Sequence, residues 1–250
     1  MSGIQPGFLI PVYNHGKTAL PLVEKLADFG IPIILVDDGS NSETKEYLKK
    51  IVSAYKLSIL VSLAKNTGKG GAIIAGLDKA HEIGITHILQ IDADGQHDFS
   101  RASFFFEESA KNPSALLCGY PEYDETVPAN RKNGRVIANT WSKIVTFFLS
   151  DIKDSMCGFR VYPVAITRNV TRHLFIDKRM GFDIETLVRL VWKNVPLIFY
   201  PVKVTYPKDG ISHFHLIKDN IRISGVFTRL FVGMVLRLPL LLIRKSHARS

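Results

Sequence analysis

The stretch HILQIDADGQHD, residues 87–98, runs from an apolar segment straight into three carboxylates. Its apolar part lacks the alternation of a strand with one wet face, which predicts a strand buried on both faces. Asp92 and Asp94 stand two residues apart, so in an extended chain their carboxylates point the same way. Such a pair repels itself unless a cation or a shared proton lies between the two groups. The end of this strand is therefore the first candidate for a functional site.

The first 120 residues repeat this pattern of apolar run and helix. Strands are predicted at 8–14, 31–40, 57–64, 87–93 and 115–120, and helices at 17–30, 42–55, 69–84 and 99–112. Buried strands separated by helices indicate an α/β fold with a mostly parallel sheet covered on both faces. In such a sheet, ligands bind beyond the carboxyl ends of the strands.

Polar residues gather at the predicted ends of four of these strands. They are Tyr13, Asn14, Asp37, Asp38, Asn66, Asp92 and Asp94. Because the carboxyl ends of parallel strands meet at one edge of a sheet, we expect these side chains to form a single site.

Beyond residue 120 the alternation weakens. Helices are predicted at 135–149 and 181–194 and a strand at 197–207, while residues 154–163 are expected to form a loop. We divide the chain into a catalytic domain, residues 1–212, and a helical tail, residues 213–250.

The composition excludes several classes of protein. The 250 residues are 46% hydrophobic and 22% charged, which is too apolar for a disordered chain. A net charge of +9 favours an anionic partner. The two cysteines, Cys118 and Cys157, are too few for a disulfide framework and predict a reducing compartment. The N-terminus shows no export signal and no uncharged apolar run reaches 18 residues, so we expect a cytoplasmic location without a spanning helix.

Two readings of the carboxylate pair stay open from the residues alone. Mg²⁺ or Mn²⁺ binds one or two carboxylates together with substrate phosphates, and Gln96 or His97 would add a further contact. Alternatively, DADG (92–95) is a turn that caps the next helix. The turn NTGKGGAI, residues 66–73, suits phosphate oxygens through its backbone N–H groups and Lys69. It lacks the spacing of a P-loop.

Five motifs together resemble those of family 2 glycosyltransferases, in the same order. They are IPVYNHG (10–16), LVDDGS (35–40), NTGKGGAIIAGLDKA (66–80), LQIDADGQHD (89–98) and DSMCGFRVYP (154–163). The likeness is strongest to the dolichyl-phosphate and polyprenyl-phosphate sugar synthases. It implies a GT-A fold, a nucleotide-sugar donor, a divalent metal (Mg²⁺ or Mn²⁺) and inversion at the anomeric carbon.

The resemblance also implies roles for individual residues around the donor. Asp92 and Asp94 match the DxD motif, with Asp94 at the reaction centre, and Gln96 stands where the family offers a further metal ligand. Asp38, or its neighbour Asp37, would bind the base. Other positions matched to nucleotide contacts are Pro11, Val12, Tyr13, Lys69 and Gly70.

The sequence leaves two kinds of acceptor open, a lipid phosphate and a hydroxyl group. A lipid phosphate is already a nucleophilic anion and would need cations, for which Arg131, Arg135 and Arg160 are candidates. A hydroxyl acceptor would need a base, for which Asp183 and Glu185 are candidates. The chain lacks the adjacent Glu-Asp pair of hydroxyl-transferring members, which favours the phosphate.

Two other classes of protein would also explain some of these features. A nucleotidyltransferase also uses paired aspartates and a glycine-rich loop, and a basic adaptor protein would explain the net charge. Nucleic acid is not expected as a partner, because clustered carboxylates repel its phosphates unless a metal intervenes. His213 and His215 are predicted either to reach the diphosphate or metal, or to be structural.

The tail combines dense apolar residues at 226–243 with regularly spaced arginines. Arg222, Arg229, Arg237 and Arg244 recur every seven or eight residues and so share one helical face. We predict an amphipathic helix in the membrane plane, its basic face toward acidic headgroups and Pro239 interrupting it. The alternative is a terminal helix packed on the domain with its arginines outward. The expected enzyme is peripheral, at the cytoplasmic face of the membrane, acting on a lipid-linked acceptor.

Overall fold

A computed structural model describes residues 3–93, 99–123, 129–173, 175–204 and 216–247. At residues 123, 129–133, 204, 216–218 and 247 it describes the backbone alone. Five residues named above lie outside the described residues: Asp94, Gln96, His97, His213 and His215.

Strands and helices alternate through the first half of the chain, as predicted. The strands are β1 (Pro6–Val12), β2 (Ile33–Asp37), β3 (Ser58–Ser62), β4 (His87–Gln90), β5 (Leu116–Tyr123), β6 (Arg160–Pro163) and β7 (Leu197–Val204). The helices are α1 (Gly16–Ala27), α2 (Ser42–Ala54), α3 (Lys69–Glu82), α4 (Ala102–Lys111), α5 (Ala129–Val145), α6 (Val164–His173), α7 (Phe182–Trp192), α8 (Leu216–Leu236) and α9 (Leu238–His247). One 3₁₀ turn, Phe99–Arg101, precedes α4.

The described strands form one sheet in the order β3-β2-β1-β4-β6-β5-β7. All neighbouring pairs are parallel except those of β6, which runs antiparallel to both β4 and β5. Val12 pairs with Asp37, and Asp37 with Ser62, so β1, β2 and β3 end at the same edge. The predicted α/β fold with a mostly parallel sheet is confirmed.

Each face of the sheet is covered by helices over its own core. Within β1, Leu9 belongs to the core beneath α3, α5, α6, α7 and α8, whereas Phe8 and Ile10 belong to the core beneath α1, α2 and α4. Neighbouring residues of a strand point to opposite faces, so burial on both faces makes the strand apolar throughout. Cys118 and Cys157 are buried free thiols, and burial raises the pKa of each to about 12.

The loop expected at residues 154–163 is only partly a loop. Its last four residues form β6, and α6 follows without a connecting turn. The residues of β6, RVYP, contain no apolar run that would predict a strand, and the pairing of β6 with β4 is set by the tertiary fold.

The tail is helical, and the interruption expected near Pro239 is present. Helix α8 ends at Leu236, α9 begins at Leu238, and the two are bent by 71°. Within the described ranges, neither helix alone has the length and apolar character of a membrane span, whereas the bent pair together would meet those criteria.

The arginine face of the tail points the opposite way from the prediction. Arg222 pairs with Asp177, Arg229 with Glu185, and Arg244 donates to the carbonyls of Trp192 and Val191. The guanidinium of Arg237 stacks on the Trp192 ring. Asp177 and Glu185 are carboxylates, and the carbonyl end of α7 carries a partial negative charge. Both kinds of group therefore bind cations. The arginines therefore face the rest of the protein beside buried apolar residues such as Val226 and Leu230, while other apolar residues of α8 and α9 are exposed.

Candidate active site

The glycine loop, residues 66–71, is held at the sheet edge by Asp38. One oxygen of this buried carboxylate accepts hydrogen bonds from Thr67 N at 2.7 Å and Thr67 Oγ1 at 2.8 Å, and the other accepts one from Gly68 N at 2.8 Å. Gly68 has a φ of +94°, and a Cβ there would lie 2.4 Å from the carbonyl oxygen of Lys178. The position therefore requires glycine, and the loop is packed on the segment before α7.

Lys69 joins two carboxylates that come from distant parts of the sequence. Its Nζ lies 2.9 Å from Asp92 Oδ2 and 3.2 Å from Asp183 Oδ2. Burial alone would lower the pKa of Lys69, but the charges of Asp183 and Asp92 outweigh burial and raise that pKa. Lys69 is therefore a permanent cation at the end of β4, and these three residues form the strand-end cluster.

A buried polar layer supports the strand-end cluster from below. Tyr162 Oη donates to Gln90 Oε1 at 3.2 Å, and Gln90 Nε2 donates to Asp92 Oδ1 at 3.4 Å. A Cβ on Gly158 would lie 2.6 Å from Lys69 Nζ and 2.8 Å from Asp92 Oδ2. Such contacts fix the orientation of Lys69 and Asp92 before any ligand arrives.

Arg160 belongs to this supporting layer rather than to an exposed surface. It is fully buried, and it donates to the carbonyl oxygens of Asp183 at 2.7 Å and Ser155 at 2.8 Å. This burial is at odds with the prediction that Arg160 binds an acceptor phosphate, because a ligand cannot reach its guanidinium. The buried backbone carbonyls explain why the sequence places an arginine here.

Helix α5 is connected to the same site through a loop. Arg135 Nη1 lies 2.6 Å from Asp154 Oδ2, and Asp154 Oδ1 accepts from the backbone of Met156 and Cys157. Asn139 accepts from Ser155. The loop that leads to Gly158 is therefore fixed to α5. The backbone of Arg131 lies in α5, and its side chain is outside the described part.

The two candidate bases on α7 have different surroundings. Asp183 Oδ2 contacts Lys69, and its Oδ1 is buried without a hydrogen-bond partner in the described part of the chain. Glu185 is fully buried, and its oxygens contact Arg189, Arg229 and the N–H of Asp177. Only Asp183 joins the strand-end cluster.

The residues matched to the nucleoside pocket lie along the same edge. Tyr13 is exposed beyond β1, whereas Val12 is buried and Pro11 half-buried. Asp37 is buried and accepts from Ser40 N at 2.8 Å. Gly39, with a φ of +70°, packs against the backbone of Lys65 and Asn66. These contacts bring the ends of β1, β2 and β3 together, and base recognition by Asp37 or Asp38 stays a prediction.

The strand-end cluster supplies some of the ligands that a divalent cation requires. Asp92 and Asp183 supply carboxylate oxygens at the cluster, and such oxygens are the ligands preferred by Mg²⁺ and Mn²⁺. Among the described residues no group of three acidic, histidine or cysteine side chains is close enough to hold a metal. The remaining predicted ligands, Asp94 and Gln96, lie outside the described residues.

Several residues that support the strand-end cluster were not predicted from the sequence. Gln90 and Tyr162 are fully buried, and Asp154 nearly so, although each belongs to a polar residue type. A glutamine inside the apolar run HILQI was a usable signal, since buried polar groups need partners. Tyr162 carried no comparable signal, because its partner Gln90 is distant in sequence, and neither did the pairing of Asp154 with Arg135, 19 residues away.

Comparisons with known proteins agree with this geometry. Residues 8–175 match the family described as Glycosyl transferase family 2. A dolichyl-phosphate beta-glucosyltransferase of Dictyostelium discoideum is 30% identical over 86% of this chain and 72% of its own length. A UDP-N-acetylglucosamine–dolichyl-phosphate N-acetylglucosaminyltransferase of Methanococcus voltae is 25% identical over 91% of this chain and 96% of its own.

Solved structures share the fold at low sequence identity. Glucosyl-3-phosphoglycerate synthase from Mycobacterium tuberculosis, in complex with Mn²⁺, UDP and glucosyl-3-phosphoglycerate, has a TM-score of 0.62 at 14% identity, covering 94% of this chain and 80% of that one. Mannosyl-3-phosphoglycerate synthase from Rubrobacter xylanophilus has a TM-score of 0.66 at 16% identity, covering 92% and 73%. With the family match over residues 8–175, the nucleotidyltransferase and adaptor alternatives lose their support. The chain belongs to glycosyl transferase family 2 and is a glycosyltransferase.

Proposed function

We propose that this enzyme transfers a sugar from a nucleotide-diphosphate sugar to a polyprenyl phosphate at the cytoplasmic face of a membrane. The observation that carries the proposal is the strand-end cluster, in which Lys69 lies within 3.2 Å of both Asp92 and Asp183. The lipid acceptor is supported by two relatives whose names specify dolichyl phosphate.

The donor would bind along the edge formed by β1, β2 and the glycine loop. Lys69 would face the diphosphate, with its charge ensured by the two carboxylates. A divalent cation held by Asp92, with Asp94 and Gln96 as further ligands, would neutralise the charge of the leaving nucleoside diphosphate. A structurally similar synthase binds Mn²⁺ with UDP, which supports a divalent metal here.

The reaction we propose inverts the anomeric carbon. An oxygen of the acceptor phosphate forms the new bond to that carbon, on the face opposite the diphosphate. The bond to the diphosphate breaks, and its electron pair leaves with the nucleoside diphosphate. No proton has to be removed from a phosphate nucleophile. Arg131 and Arg135 remain the proposed cations for the acceptor, with Arg135 held at 2.6 Å from Asp154.

A hydroxyl acceptor is the second candidate, and one observation favours it. Asp183 Oδ2 faces Lys69 in the strand-end cluster, so α7 places a carboxylate at the proposed reaction site, where a general base would stand. Such a base would take the hydroxyl proton as the new glycosidic bond forms.

The deciding experiment is transfer of labelled sugar. Purified enzyme, Mg²⁺ or Mn²⁺, a polyprenyl-phosphate extract and a panel of labelled nucleotide sugars are combined, and label in the organic phase is counted. We expect label that is released by mild acid and absent with a chelator or with Asp92→Asn. Acid-stable label would identify a hydroxyl acceptor. Absence of both transfer and donor hydrolysis for every donor would contradict the proposed reaction.

A further inference from the structure

A second concave surface lies at the opposite end of α7 from the strand-end cluster. This cleft of about 770 Å³ lies between the C-terminal end of α7, Leu149 and α9. On α7 its lining residues are Arg189 and Trp192, six and nine residues beyond Asp183, which is roughly 9 and 14 Å along an α-helix. The cleft is therefore separate from the proposed donor and acceptor sites.

The lining of the cleft is cationic. Arg189, Lys193, Arg237 and Arg244 line it, and no lining residue in the described chain is acidic. Glu185, outside the cleft, neutralises Arg189. Arg237 and Arg244 contact backbone carbonyls, and within the described ranges no carboxylate pairs with either guanidinium. A cleft with several uncancelled cations attracts an anion.

Exposed apolar side chains surround this cationic cleft. Leu240 and Ile243 contribute to its lining, and they are 65% and 56% exposed. Leu236 and Leu242 are exposed on the same two helices. A soluble phosphate would gain nothing from these side chains, whereas an acyl boundary would cover them.

The turn after α5 extends the same surface. Phe147 and Phe148 both have positive φ values, 57° and 56°, which bulky residues rarely adopt. Lys245 of α9 fixes this turn, because its Nζ donates to Phe147 O at 3.3 Å and lies over both rings. The strained backbone holds Phe148 60% exposed next to a cation, an arrangement that suits a membrane interface.

We propose that the cleft binds the phosphate head group of an anionic phospholipid in the bilayer, with Phe148 and the outward residues of α9 in the acyl boundary. The proposal rests on the membrane location proposed above. It adds a structural lipid that positions α8 and α9, distinct from the acceptor lipid. The negative charge of the bound head group would neutralise the positive charges of Lys193, Arg237 and Arg244.

The test uses the full chain and vesicles of phosphatidylcholine, with and without phosphatidylglycerol. We expect Lys193→Ala/Lys245→Ala to bind the anionic vesicles about tenfold more weakly than the unmodified protein. The matched control, Lys45→Ala/Lys56→Ala, removes the same charge from exposed positions on and after α2 and should bind within about twofold. In Phe148→Asn, the new asparagine tolerates the positive φ of this position. Because it removes the exposed ring, the variant should weaken binding to both kinds of vesicle.

Three outcomes would contradict the proposal that the cleft binds a phospholipid head group. Equal losses in the two double variants would show that net charge alone attracts the bilayer. Release of the protein from vesicles by millimolar inorganic phosphate would identify a free anion as the ligand. A stable dimer in lipid-free solution that is broken by Phe148→Asn would assign the apolar surface to a second copy of the chain.

The same measurements separate this proposal from the proposed reaction. Sugar transfer to detergent-solubilised polyprenyl phosphate should proceed at an unchanged rate in Lys193→Ala/Lys245→Ala. If that rate collapsed together with vesicle binding, the cleft would belong to the acceptor site and the distinct-lipid proposal would be wrong. If the unmodified protein transferred sugar but bound no vesicle, the cleft proposal would fail while the reaction stood.

Discussion

The carboxylate of Glu185, fully buried in α7, lies 3.0 Å from the guanidinium of Arg229 in α8. The same carboxylate accepts from the N–H of Asp177, and the segment that follows Asp177 packs on the glycine loop through the bond from Gly71 N to Lys178 O. Arg229 therefore connects the C-terminal helix to the loop proposed to hold the donor.

Arg229→Ala should destabilise the fold and loosen that connection. It leaves one oxygen of a buried carboxylate with a single partner, so we expect a loss of about 2 kcal/mol in the free energy of unfolding. Donor KM should rise more than kcat falls, and Arg229→Lys should restore most of both. The control is Arg172→Ala, which removes a half-exposed ion pair with Asp78 and should change stability by less than about 1 kcal/mol. Equal effects of the two alanine variants would contradict this account.

Gly158→Ala should impair activity far more than stability. The added Cβ would lie 2.6 Å from Lys69 Nζ and 2.8 Å from Asp92 Oδ2, so both polar groups must move. Displacement of such groups by about 1 Å can reduce turnover about a hundredfold. Gly134→Ala is the matched control, because a Cβ in that position of α5 meets no atom of the described residues within 4 Å. It should leave activity intact and stabilise the helix by about 0.5–1 kcal/mol. Full activity of Gly158→Ala would show that the cluster tolerates rearrangement.

Asp183→Asn and Glu185→Gln should separate catalysis from structure. Asp183 contacts Lys69, so its amide variant should lower kcat by about two orders of magnitude with little change in the unfolding midpoint. Glu185 contacts Arg189 and Arg229 instead, so its amide variant should lower the midpoint while the folded fraction keeps most of its kcat. Steady-state kinetics beside urea unfolding measures both. The reverse pattern would assign the chemistry to Glu185.

His87 should make stability depend on pH below neutrality. Burial lowers the pKa of this imidazole below its ordinary 6.5, and its ring nitrogens contact Pro113 O at 2.9 Å and Thr86 Oγ1 at 3.0 Å. Nε2 donates to the Pro113 carbonyl, which raises the pKa, but burial outweighs that contact and favours the neutral ring in the folded state. As the pH falls below 6.5 the unfolded state binds the proton more readily, and stability is lost.

Urea unfolding at pH 7.5, 6.5 and 5.5 checks this linkage. The chain with His87→Gln should lose less stability between pH 7.5 and 5.5 than the unmodified chain. His81→Gln, on the exposed side of α3, is the control for the loss of a histidine side chain. Identical pH profiles for the unmodified chain and His87→Gln would contradict a neutral buried His87.

The sequence by itself determined the parallel α/β architecture and the edge that carries the site. Both follow from local physics: strands buried on two faces must be apolar throughout, so polar residues such as Asp38 and Asp92 mark where the strands end. The arrangement of Lys69 between Asp92 and Asp183 needed tertiary structure, because three distant segments meet there. The short strand β6 and the buried roles of Gln90 and Arg160 depended on the same long-range packing.

The tail shows most clearly what the tertiary structure alone decided. A repeat of seven or eight residues correctly places Arg222, Arg229, Arg237 and Arg244 on one helical face. Periodicity cannot say which face packs inward, since that depends on what the neighbouring element needs. Here α7 and the segment before it offer carboxylates and the carbonyl end of a helix, which bind the arginines on the inward side and leave apolar residues such as Leu236 and Leu240 exposed.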